Sequence, residues 1–399
     1  MSLKIALIRQ KYTPFGGAER FVERALATLA GRGLEVTLLC REWAGGQEGG
    51  FPVEIVAPAY SRFGGRKARD ASFARAIQAI VAGGRFDLVQ SHERIPGCHI
   101  YRAGDGVHAT WLELRGRQQN AAQRFATRHH PWHRYVLAQE AAMFRHPDLR
   151  AVICNSAMVR DDIAARFGVA PDKLRLIRNG VDIDAFHPSL RDVHRTALRA
   201  KVDAGGTAPN LTPVVLYVGS GFARKGVATL LDALAQMATR DAEVWIVGRD
   251  KHAARYVQQA QRLGIAARVR FFGAQTDVKP FYGAADVFCL PTLYDPMPNA
   301  ALEALACGLP LVTTATCGAA ELVTPGANGI VVPPLDPLAL AHALDAMLAA
   351  GPAAREAARS SATTWTLAAT GAALFDLYTE LGAKLGAEPA ARPHTYAPL

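Results

Sequence analysis

The 399-residue sequence lacks any run of about 18 apolar residues, the minimum length for a membrane-spanning helix. Its first stretch, MSLKIALIRQKY, also lacks the long apolar region and small-residue cleavage site of a secretory signal peptide. The six cysteines are scattered, and none forms a CxxC pair. We therefore expect a cytoplasmic protein with reduced, buried thiols and no membrane span.

Acidic residues are outnumbered by basic ones, which gives a formal net charge of +10. That balance favours acidic partners such as nucleic acid, anionic lipid or phosphorylated substrates. No GxGxxG stretch is present, so a dinucleotide site is not supported, and no motif typical of RNA or DNA binding is found. Phosphorylated substrates and anionic lipid therefore remain as the expected partners.

Apolar segments alternate with helix-like stretches in both halves of the chain, which predicts an α/β protein with two doubly wound parallel sheets. The predicted strands are 4–8, 35–40, 53–56, 86–92, 149–156, 214–220, 242–248, 269–273, 287–291, 309–314 and 329–332. Asn155 or Ser156 is expected to cap the helix after the fifth strand.

The pattern restarts after the Asn179-Gly180 turn signal, which a polar segment follows to about Pro213. We predict one domain over 1–178, a second over 179–365 and a helix over 366–385 that packs back on the first domain. The Pro/Ala-rich residues 386–399 are expected to be loose. Two such domains would face each other across a cleft at the carboxyl ends of their strands.

Two loops have features of phosphate binding. Gly16 and Gly17, after the first strand, could bring backbone N–H groups to an anion at a helix N-terminus, although a tight turn is an equal explanation. In the second half a strand ends at Gly219, and Arg224 and Lys225 precede a helix. Cations there oppose the helix dipole, which indicates that an anion lies between them.

The stretch LYDPMPNAALEALACGLP places one carboxylate before a predicted helix and another inside it. Pro298 suits the first helical position, which would direct the N–H groups of Asn299 and Ala300 toward a ligand. Glu303 could accept hydrogen bonds from vicinal hydroxyls such as those of a ribose, and Asp295 from sugar hydroxyls. The alternative is a helix-terminal acid followed by a solvated glutamate.

The order of FGGAER, NGVD, GSGFARKG, VRFFG and a carboxylate-x7-Glu pair resembles the GT-B glycosyltransferases of family 4 over about residues 4–375. Within that family, YTPFGGAER, IPGCHIYRAGD, VGSGFARKG and VGRDK are most similar to enzymes of lipopolysaccharide core assembly. The resemblance implies two Rossmann-like domains and a retaining, metal-independent hexosyltransferase. Its expected donor is UDP-glucose, and its expected acceptor is a heptose of the inner core.

The resemblance also implies roles for the donor site. Arg224 and Lys225 would hold the donor diphosphate and stabilise the leaving group. Glu303 would hold the ribose, and Asp295 would hold the donor sugar. The remaining donor contacts would come from backbone atoms near five positions: Gly219, Phe272, Gly273, Asn299 and Ala300.

For the other substrate, the resemblance implies that Gly16 and Gly17 approach both donor and acceptor. Asp105 would face the reacting carbon, with His108 beside it. Asp295 is one methylene shorter than the family's usual glutamate, and Pro298 stands where glycine is common, so the donor sugar is less defined than the reaction. The alternatives are a family 4 transfer of an N-acetylhexosamine from UDP to another lipid-linked glycan, and a non-catalytic binding protein.

Aromatic residues and arginines are interleaved between Trp111 and Arg150. Such a stretch could lie on the anionic inner face of the inner membrane, grip a phosphorylated, lipid-linked oligosaccharide, or form a solvated surface. The arginines predicted to make these contacts are Arg115, Arg117, Arg124, Arg128 and Arg134.

Two further patterns are not interpreted as metal sites. The Asp182-Ile183-Asp184 stretch lies in a turn, where its carboxylates are expected to cap backbone N–H groups. The histidines of RHHPWH are interrupted by Pro131 and have arginine neighbours, which disfavours a cation.

Overall fold

The computed structural model describes residues 2–12, 33–44, 51–202 and 212–387. Its contacts divide these residues into two compact units. The first comprises the described parts of Met1–Arg178 and Leu367–Leu399, and the second comprises those of Asn179–Thr366. The segment with Gly16 and Gly17 and the tail after 387 lie outside the described residues.

The first unit is built on a seven-stranded sheet in the order β5-β3-β1-β6-β7-β8-β9, in which every pairing is parallel. Its strands are β1 (Leu3–Ile8), β3 (Leu34–Cys40), β5 (Val53–Ile55), β6 (Leu88–Ser91), β7 (Ile100–Arg102), β8 (Ala151–Cys154) and β9 (Leu174–Leu176). The short strands β2 (Lys11–Tyr12) and β4 (Glu42–Trp43) form a separate parallel pair.

Helices cover the first sheet on both faces. They are α1 (Gly65–Ala82), α2 (His108–Gly116), α3 (Ala121–His129), α4 (Pro131–Arg145), α5 (Ala157–Phe167) and, from the C-terminal end of the chain, α13 (Leu367–Ala387). Leu374, Leu377 and Tyr378 of α13 pack in one apolar cluster with Ile5 of β1, and the Tyr378 hydroxyl donates to Gln90 Oε1 at 2.8 Å. The C-terminal helix is therefore part of the first unit's core.

The second unit contains a six-stranded sheet, entirely parallel, in the order β12-β11-β10-β13-β14-β15. Its strands are β10 (Val214–Val218), β11 (Glu243–Val247), β12 (Val269–Gly273), β13 (Val287–Leu290), β14 (Leu311–Thr314) and β15 (Gly329–Val332). Its helices are α6 (Leu190–Val202), α7 (Val227–Gln236), α8 (Ala253–Arg262), α9 (Lys279–Ala284), α10 (Asn299–Ala306), α11 (Pro337–Ala349) and α12 (Gly351–Ala362).

The predicted fold class is confirmed, because each half forms a parallel sheet covered by helices. All six cysteines are free and buried, as expected. Ser156, rather than Asn155, caps α5 by accepting from the Val159 N–H at 3.3 Å. Four strands that the sequence did not indicate, β2, β4, β7 and β9, have only two or three residues each and lack a clear period.

The polar segment that was expected to run to Pro213 contains a helix, α6. It was missed because its inward face carries arginines beside the aliphatic Leu198 and Val202, which interrupts the apolar period. Arg191, Arg195 and Arg199 are spaced four residues apart, and all three bond Asp286, the residue before β13. Arg199 is 1% exposed, so a buried ionic cluster holds this helix to the sheet.

Candidate functional site

Three neighbouring strands of the second sheet end in glycines. Gly219 follows β10, Gly248 follows β11, and Gly273 ends β12. The Gly248 N–H donates to the Gly273 carbonyl at 2.8 Å, and a Cβ on Gly248 would lie 2.0 Å from the Gly219 carbonyl oxygen. Only a residue without a side chain fits there, and its φ of 136° also requires glycine. The strand ends therefore form a surface of bare backbone.

Lys225 lies across this surface. A Cβ on Gly219 would come within 2.8 Å of Lys225 Cδ, so the glycine makes room for the lysine side chain. Lys225 Nζ is 3.0 Å from Asp295 Oδ2, and Arg224 Nη1 is 3.2 Å from the same oxygen. The anion that the sequence placed between the two cations is, in this structure, the protein's own Asp295.

Asp295 is ionised in this arrangement. Burial raises the pKa of its carboxyl group, but the charges of Lys225 and Arg224 and their hydrogen bonds outweigh that effect, so the net pKa is lowered. The Asp295 side chain is 8% exposed, whereas the Arg224 side chain is 37% exposed. A nearly buried anion thus holds two cations at the carboxyl ends of the strands, one of which remains open to solvent.

Backbone bonds fix the segments that carry these three residues. The Arg224 carbonyl accepts from the Leu293 N–H at 2.8 Å and the Thr292 hydroxyl at 3.0 Å. Arg224 Nη1 in turn donates to the Tyr294 carbonyl at 2.8 Å. The loop before α7 and the loop after β13 are therefore tied together on both sides of the ion pairs, which predefines the cation positions.

The helix with the second carboxylate starts one residue later than predicted. Pro298 is its N-cap, with φ −73° and ψ 121°, and Asn299 is its first residue, so the expected helical position for the proline was wrong. The extended ψ of the proline does not permit a helical first position. The Asn179 side chain donates to the Asn299 side chain at 2.7 Å and to the Met297 carbonyl at 3.1 Å, which fixes this helix start.

Glu303 is half-buried and is not a solvated helix residue. The hydroxyl of the fully buried Tyr282 donates to Glu303 Oε2 at 2.9 Å. This hydrogen bond explains how an apolar helix can carry a carboxylate, because it gives the group a partner and orients it from one side. The structure brings Arg224, Lys225, Asp295, Asn299 and Glu303 into connected segments of the second unit.

The segment predicted to meet a nucleobase has an apolar wall. The Phe272 ring packs 5.3 Å from Trp245 and 4.9 Å from Phe281, measured between ring centroids. Its carbonyl accepts from the Gln275 side chain at 2.7 Å, and Gly273 beside it is exposed. The neighbouring backbone is thus accessible at a strand end.

In the first unit the loop after β7 carries Asp105 and leads to His108, the first residue of α2. The Asp105 side chain is 58% exposed, and its Oδ2 lies 3.9 Å from Arg9 Nη1. Arg9 Nη1 is also 3.7 Å from Glu93. Arg9, Glu93 and Asp105 follow the neighbouring strands β1, β6 and β7, so this loop lies at the carboxyl edge of the first sheet.

A buried ion pair holds the same loop. Arg94 Nε donates to Glu140 Oε1 at 2.8 Å, and Arg94 Nη2 donates to the Gly106 carbonyl at 2.7 Å. Glu140 Oε1 also accepts from the His108 N–H at 2.8 Å, and Oε2 accepts from the Ala109 N–H at 3.3 Å. The glutamate, which is 1% exposed, therefore satisfies the N-terminus of α2 while its partner holds the loop before it.

His108 is buried, and one of its ring nitrogens lies 3.0 Å from His133 Nδ1. Burial, followed by the charge of Arg94 and the proximity of His133, lowers the pKa of His108 to about 3. Burial also lowers the pKa of His133 to about 4. Both rings are neutral at pH 7, so His108 contributes an uncharged imidazole to this edge.

The basic and aromatic stretch spans three consecutive helices, α2, α3 and α4, with Arg115 in α2 and Arg117 directly after it. The five predicted contact residues, Arg115, Arg117, Arg124, Arg128 and Arg134, are all exposed except for the half-buried Arg115. Phe125 of α3 is 66% exposed, and Asn120 closes the start of that helix with a capping box. Pro131 begins α4, so it separates the helices as the sequence indicated.

The patterns not interpreted as metal sites have other partners. Asp182 Oδ1 accepts from the Asp184 and Ala185 N–H groups, which confirms the predicted turn chemistry. His129 contacts the Phe125 carbonyl, and His130 accepts from the Trp132 N–H. Within the described ranges no three His, Cys, Asp or Glu side chains are grouped to hold a metal ion.

Several residues of these sites were not found from the sequence. Gly248 belongs to the VGRDK stretch and could have been singled out as a glycine directly after a strand. Tyr282, Arg94 and Glu140 gave no signal, because each acts on a partner more than 20 positions away in the chain.

Across the described part of the chain, no helix is long and apolar enough to cross a bilayer.

Two family models match this sequence. Glycosyltransferase Family 4 matches residues 15–185, and Glycosyl transferases group 1 matches residues 212–350. Together with the two parallel-sheet units, these matches identify the class: the chain belongs to the GT-B glycosyltransferases.

Comparison with individual proteins shows which glycosyltransferases this chain resembles. The chain is 26% identical over 336 residues to lipopolysaccharide glucosyltransferase WaaG of Escherichia coli, covering 82% of this chain and 84% of that protein. A crystal structure of WaaG superposes with a TM-score of 0.78 over 94% of this chain and 99% of the other. Anabaena HepE in complex with UDP and glucose shares the fold, with 20% identity, a TM-score of 0.70, and coverage of 95% and 100%. The chain is thus a glycosyltransferase related to WaaG.

Proposed function

We propose that this protein is a retaining, metal-independent glycosyltransferase that moves glucose from UDP-glucose onto a heptose of the lipopolysaccharide inner core. The observation that carries the proposal is the convergence of Lys225 and Arg224 on Asp295 at the carboxyl ends of the second sheet. Two fixed cations beside bare backbone suit a nucleotide diphosphate. The similarity to WaaG, a lipopolysaccharide glucosyltransferase, supports glucose as the sugar and lipopolysaccharide as the class of acceptor.

In the donor complex the diphosphate takes the place of Asp295 as the main counter-ion of Arg224 and Lys225. The freed Asp295 carboxylate then accepts hydrogen bonds from the sugar hydroxyls. Glu303, oriented by Tyr282, accepts from the two ribose hydroxyls, and the base lies against the backbone near Phe272 and Gly273. Gly219 leaves room for the phosphates, and the N–H groups of Asn299 and Ala300 face them.

In the reaction the bond between the sugar's anomeric carbon and the phosphate oxygen breaks, and a bond to the acceptor oxygen forms on the same face. The leaving phosphate oxygen takes the acceptor proton, so no strong protein base is needed. Lys225 and Arg224 stabilise the charge that develops on the diphosphate, a contribution of about 3–4 kcal/mol per fixed donor in comparable sites. Asp105 lies toward the reacting carbon, and the neutral His108 beside it donates or accepts a hydrogen bond.

The first unit supplies acceptor recognition in this proposal. The exposed Arg117, Arg124, Arg128 and Arg134, with the half-buried Arg115, suit a phosphorylated saccharide whose lipid lies in an anionic membrane. Phe125, 66% exposed on the same helix as Arg124 and Arg128, suits the interfacial region of that membrane. The expected location is therefore the cytoplasmic face of the inner membrane.

A thermal-shift screen of nucleotide sugars tests the donor assignment, because a ligand of the native state raises the melting temperature. UDP should give a shift, UDP-glucose a larger one, and 2′-deoxy-UDP a smaller one because it lacks a partner for Glu303. A larger shift with UDP-N-acetylhexosamine would favour that donor. No shift with any nucleotide would overturn the donor site, and binding without turnover on purified core acceptor would favour a non-catalytic binding protein.

Vesicle sedimentation tests the acceptor face. Replacing Arg124, Arg128 and Arg134 together with glutamate should release the protein from phosphatidylglycerol vesicles and leave UDP binding unchanged. A matched control replaces three exposed cations of the second unit, Arg240, Lys251 and Arg262, with glutamate, which gives the same change in net charge. Equal vesicle binding by both variants would remove α3 and α4 from the membrane contact.

A further inference from the structure

A second basic and aromatic surface lies in the first unit, outside the helices already assigned. We call residues 60–67, YSRFGGRK, the Phe63 turn. Phe63 is 105% exposed, which means that its ring has no packing partner beyond its own backbone, and Tyr60 is 41% exposed. An aromatic ring fully in water forgoes the free energy that burial of its apolar surface would supply. A turn that keeps it there indicates a partner that covers it.

The charged residues in the Phe63 turn are all basic. Between Val56 and Arg69 the chain has four cations, Arg62, Arg66, Lys67 and Arg69, and no carboxylate. Arg62 and Lys67 are exposed on either side of Phe63. An apolar ring at the tip of a turn flanked by cations fits the boundary between anionic headgroups and acyl chains. A protein partner would instead need a flat, complementary patch around the ring.

The base of the turn is held from inside the unit. Arg41, which is 8% exposed, donates to the Pro58 carbonyl and to the Arg69 carbonyl, both at 3.1 Å, and so bonds the segments on both sides of the turn. Its guanidinium also lies 5.1 Å from the centre of the Tyr60 ring. Phe63 is therefore presented by a fixed support, which lowers the entropy that an insertion would lose.

Contacts run from this turn to the loop with the proposed acceptor residues. The Arg66 guanidinium lies 3.6 Å from the centre of the Trp132 ring, and Trp132 Nε1 donates to Asp70 at 2.8 Å. The Trp132 ring in turn packs edge-on against His108, 5.5 Å between centroids. Because Trp132 is the second residue of α4, which follows α3 directly, the turn, the start of α4 and the Asp105–His108 loop adjoin one another.

We propose that the Phe63 turn is a second membrane contact, in which Phe63 inserts into an anionic phospholipid surface and Arg62 and Lys67 bind the headgroups. The inference rests on the proposed lipid-linked acceptor. Insertion at Phe63 together with contact by α3 fixes two points of the first unit on the bilayer. The acceptor glycan then leaves the membrane next to the Asp105–His108 loop.

A fluorescent label at position 63 tests insertion. The six native cysteines are buried, so Phe63→Cys introduces an exposed thiol for a polarity-sensitive dye. Val193→Cys on α6 is the matched control, because Val193 is 65% exposed in the second unit. Phosphatidylglycerol vesicles should shift the emission of the dye at position 63 to the blue, whereas the dye at position 193 should not respond. No shift at position 63, or the same shift at both, would overturn the inference.

Binding strength gives an independent check. Phe63→Ser should weaken sedimentation with phosphatidylglycerol vesicles about tenfold, Phe63→Trp should restore it, and Val193→Ser should leave it unchanged. Unchanged binding in Phe63→Ser with loss in the variant lacking Arg124, Arg128 and Arg134 would assign the membrane contact to α3 and α4 alone. UDP thermal shifts of every variant separate this inference from the proposed function. A variant that binds UDP but not vesicles has lost the membrane contact and kept the proposed donor site.

Discussion

The two candidate sites are fixed in different ways. In the second unit, bare glycine backbone at three strand ends and two adjacent cations define the site, and Gly219, Arg224 and Lys225 fall within seven consecutive residues. In the first unit, Asp105 is exposed on a loop that the Arg94–Glu140 pair holds from positions far along the chain. The proposed donor side thus takes its cations from one short segment, whereas distant residues hold the loop of the proposed acceptor side.

The difference also appears in the electrostatics. Asp295 is ionised and pairs with two cations, which leaves a net positive charge for a diphosphate to meet, so the proposed donor side is a charged site with a built-in counter-ion. His108 and His133 are neutral, and Glu140 is already bonded, so the acceptor side offers mostly uncharged or fixed groups around one exposed carboxylate. The second unit is suited to binding and releasing a polyanion, and the first unit to orienting hydroxyl groups.

The largest expected effect comes from Lys225→Ala. Transfer should fall about a hundredfold to a thousandfold, because the diphosphate loses a fixed cation that stabilises the leaving group. Steady-state kinetics gives the loss, and circular dichroism should show an intact fold. Lys251→Ala, at an exposed lysine of the same unit, is the control and should remain active. Near-normal turnover in Lys225→Ala would show that Lys225 does not stabilise the diphosphate.

The next effect concerns the long-range support of the acceptor side. Glu140→Gln leaves Arg94 buried without its counter-charge and should lower the free energy of unfolding by about 3 kcal/mol. The ratio kcat/KM should fall as the Asp105 loop loosens, while UDP affinity should be unchanged.

The matched control for that change is Glu113→Gln, which breaks a pair with Arg166 in which Glu113 is 61% exposed. It should cost less than about 1 kcal/mol. Rescue of kcat/KM at low temperature, where Glu140→Gln stays folded, would show that the pair serves stability alone and does not position the loop.

A smaller effect should appear as the pH falls. The pKa values of His108 and His133, about 3 and about 4, lie below the ordinary value of 6.5, so the unfolded chain binds protons first. Their contribution to stability is complete above pH 6.5 and is lost as the pH falls toward 4. The loss is up to about 1.4 kcal/mol per pH unit for each histidine. Urea titrations should show a shallower pH slope for His133→Gln and an unchanged slope for His342→Gln, at an exposed position.

The smallest effect tests the orientation of Glu303. Tyr282→Phe removes the hydroxyl that bonds Glu303 Oε2 and should weaken UDP binding by about fivefold, or about 1 kcal/mol. Calorimetry with UDP and 2′-deoxy-UDP should show that the variant discriminates less between them. Tyr256→Phe is the control, because its hydroxyl bonds Arg255 instead. Equal discrimination between UDP and 2′-deoxy-UDP by the variant and the parent protein would show that Glu303 does not bind the ribose.

Most of the fold could be read from the sequence because long strands and helices have clear apolar periods. The elements that were missed had no clear apolar period: β2, β4, β7 and β9 are only two or three residues long, and α6 turns arginines toward the sheet. The one-residue error at Pro298 has a similar origin. Helix ends depend on the ψ of one residue, and residue type alone does not determine that angle.

Sequence by itself determined the α/β class, the donor-side cluster and the candidate residues Arg224, Lys225, Asp295 and Glu303. These belong to contiguous motifs in which turn glycines, charges and helix starts follow one another, so local chemistry encodes them. Only the tertiary structure decided that Asp295 is the counter-ion of both cations, that Tyr282 orients Glu303, and that Arg94 and Glu140 hold the Asp105 loop. The Asp295 ion pairs, the Tyr282–Glu303 bond and the Arg94–Glu140 pair each join residues more than 20 positions apart, and the Arg94–Gly106 bond joins residues 12 positions apart. Their meeting depends on how the strands are ordered in the sheet.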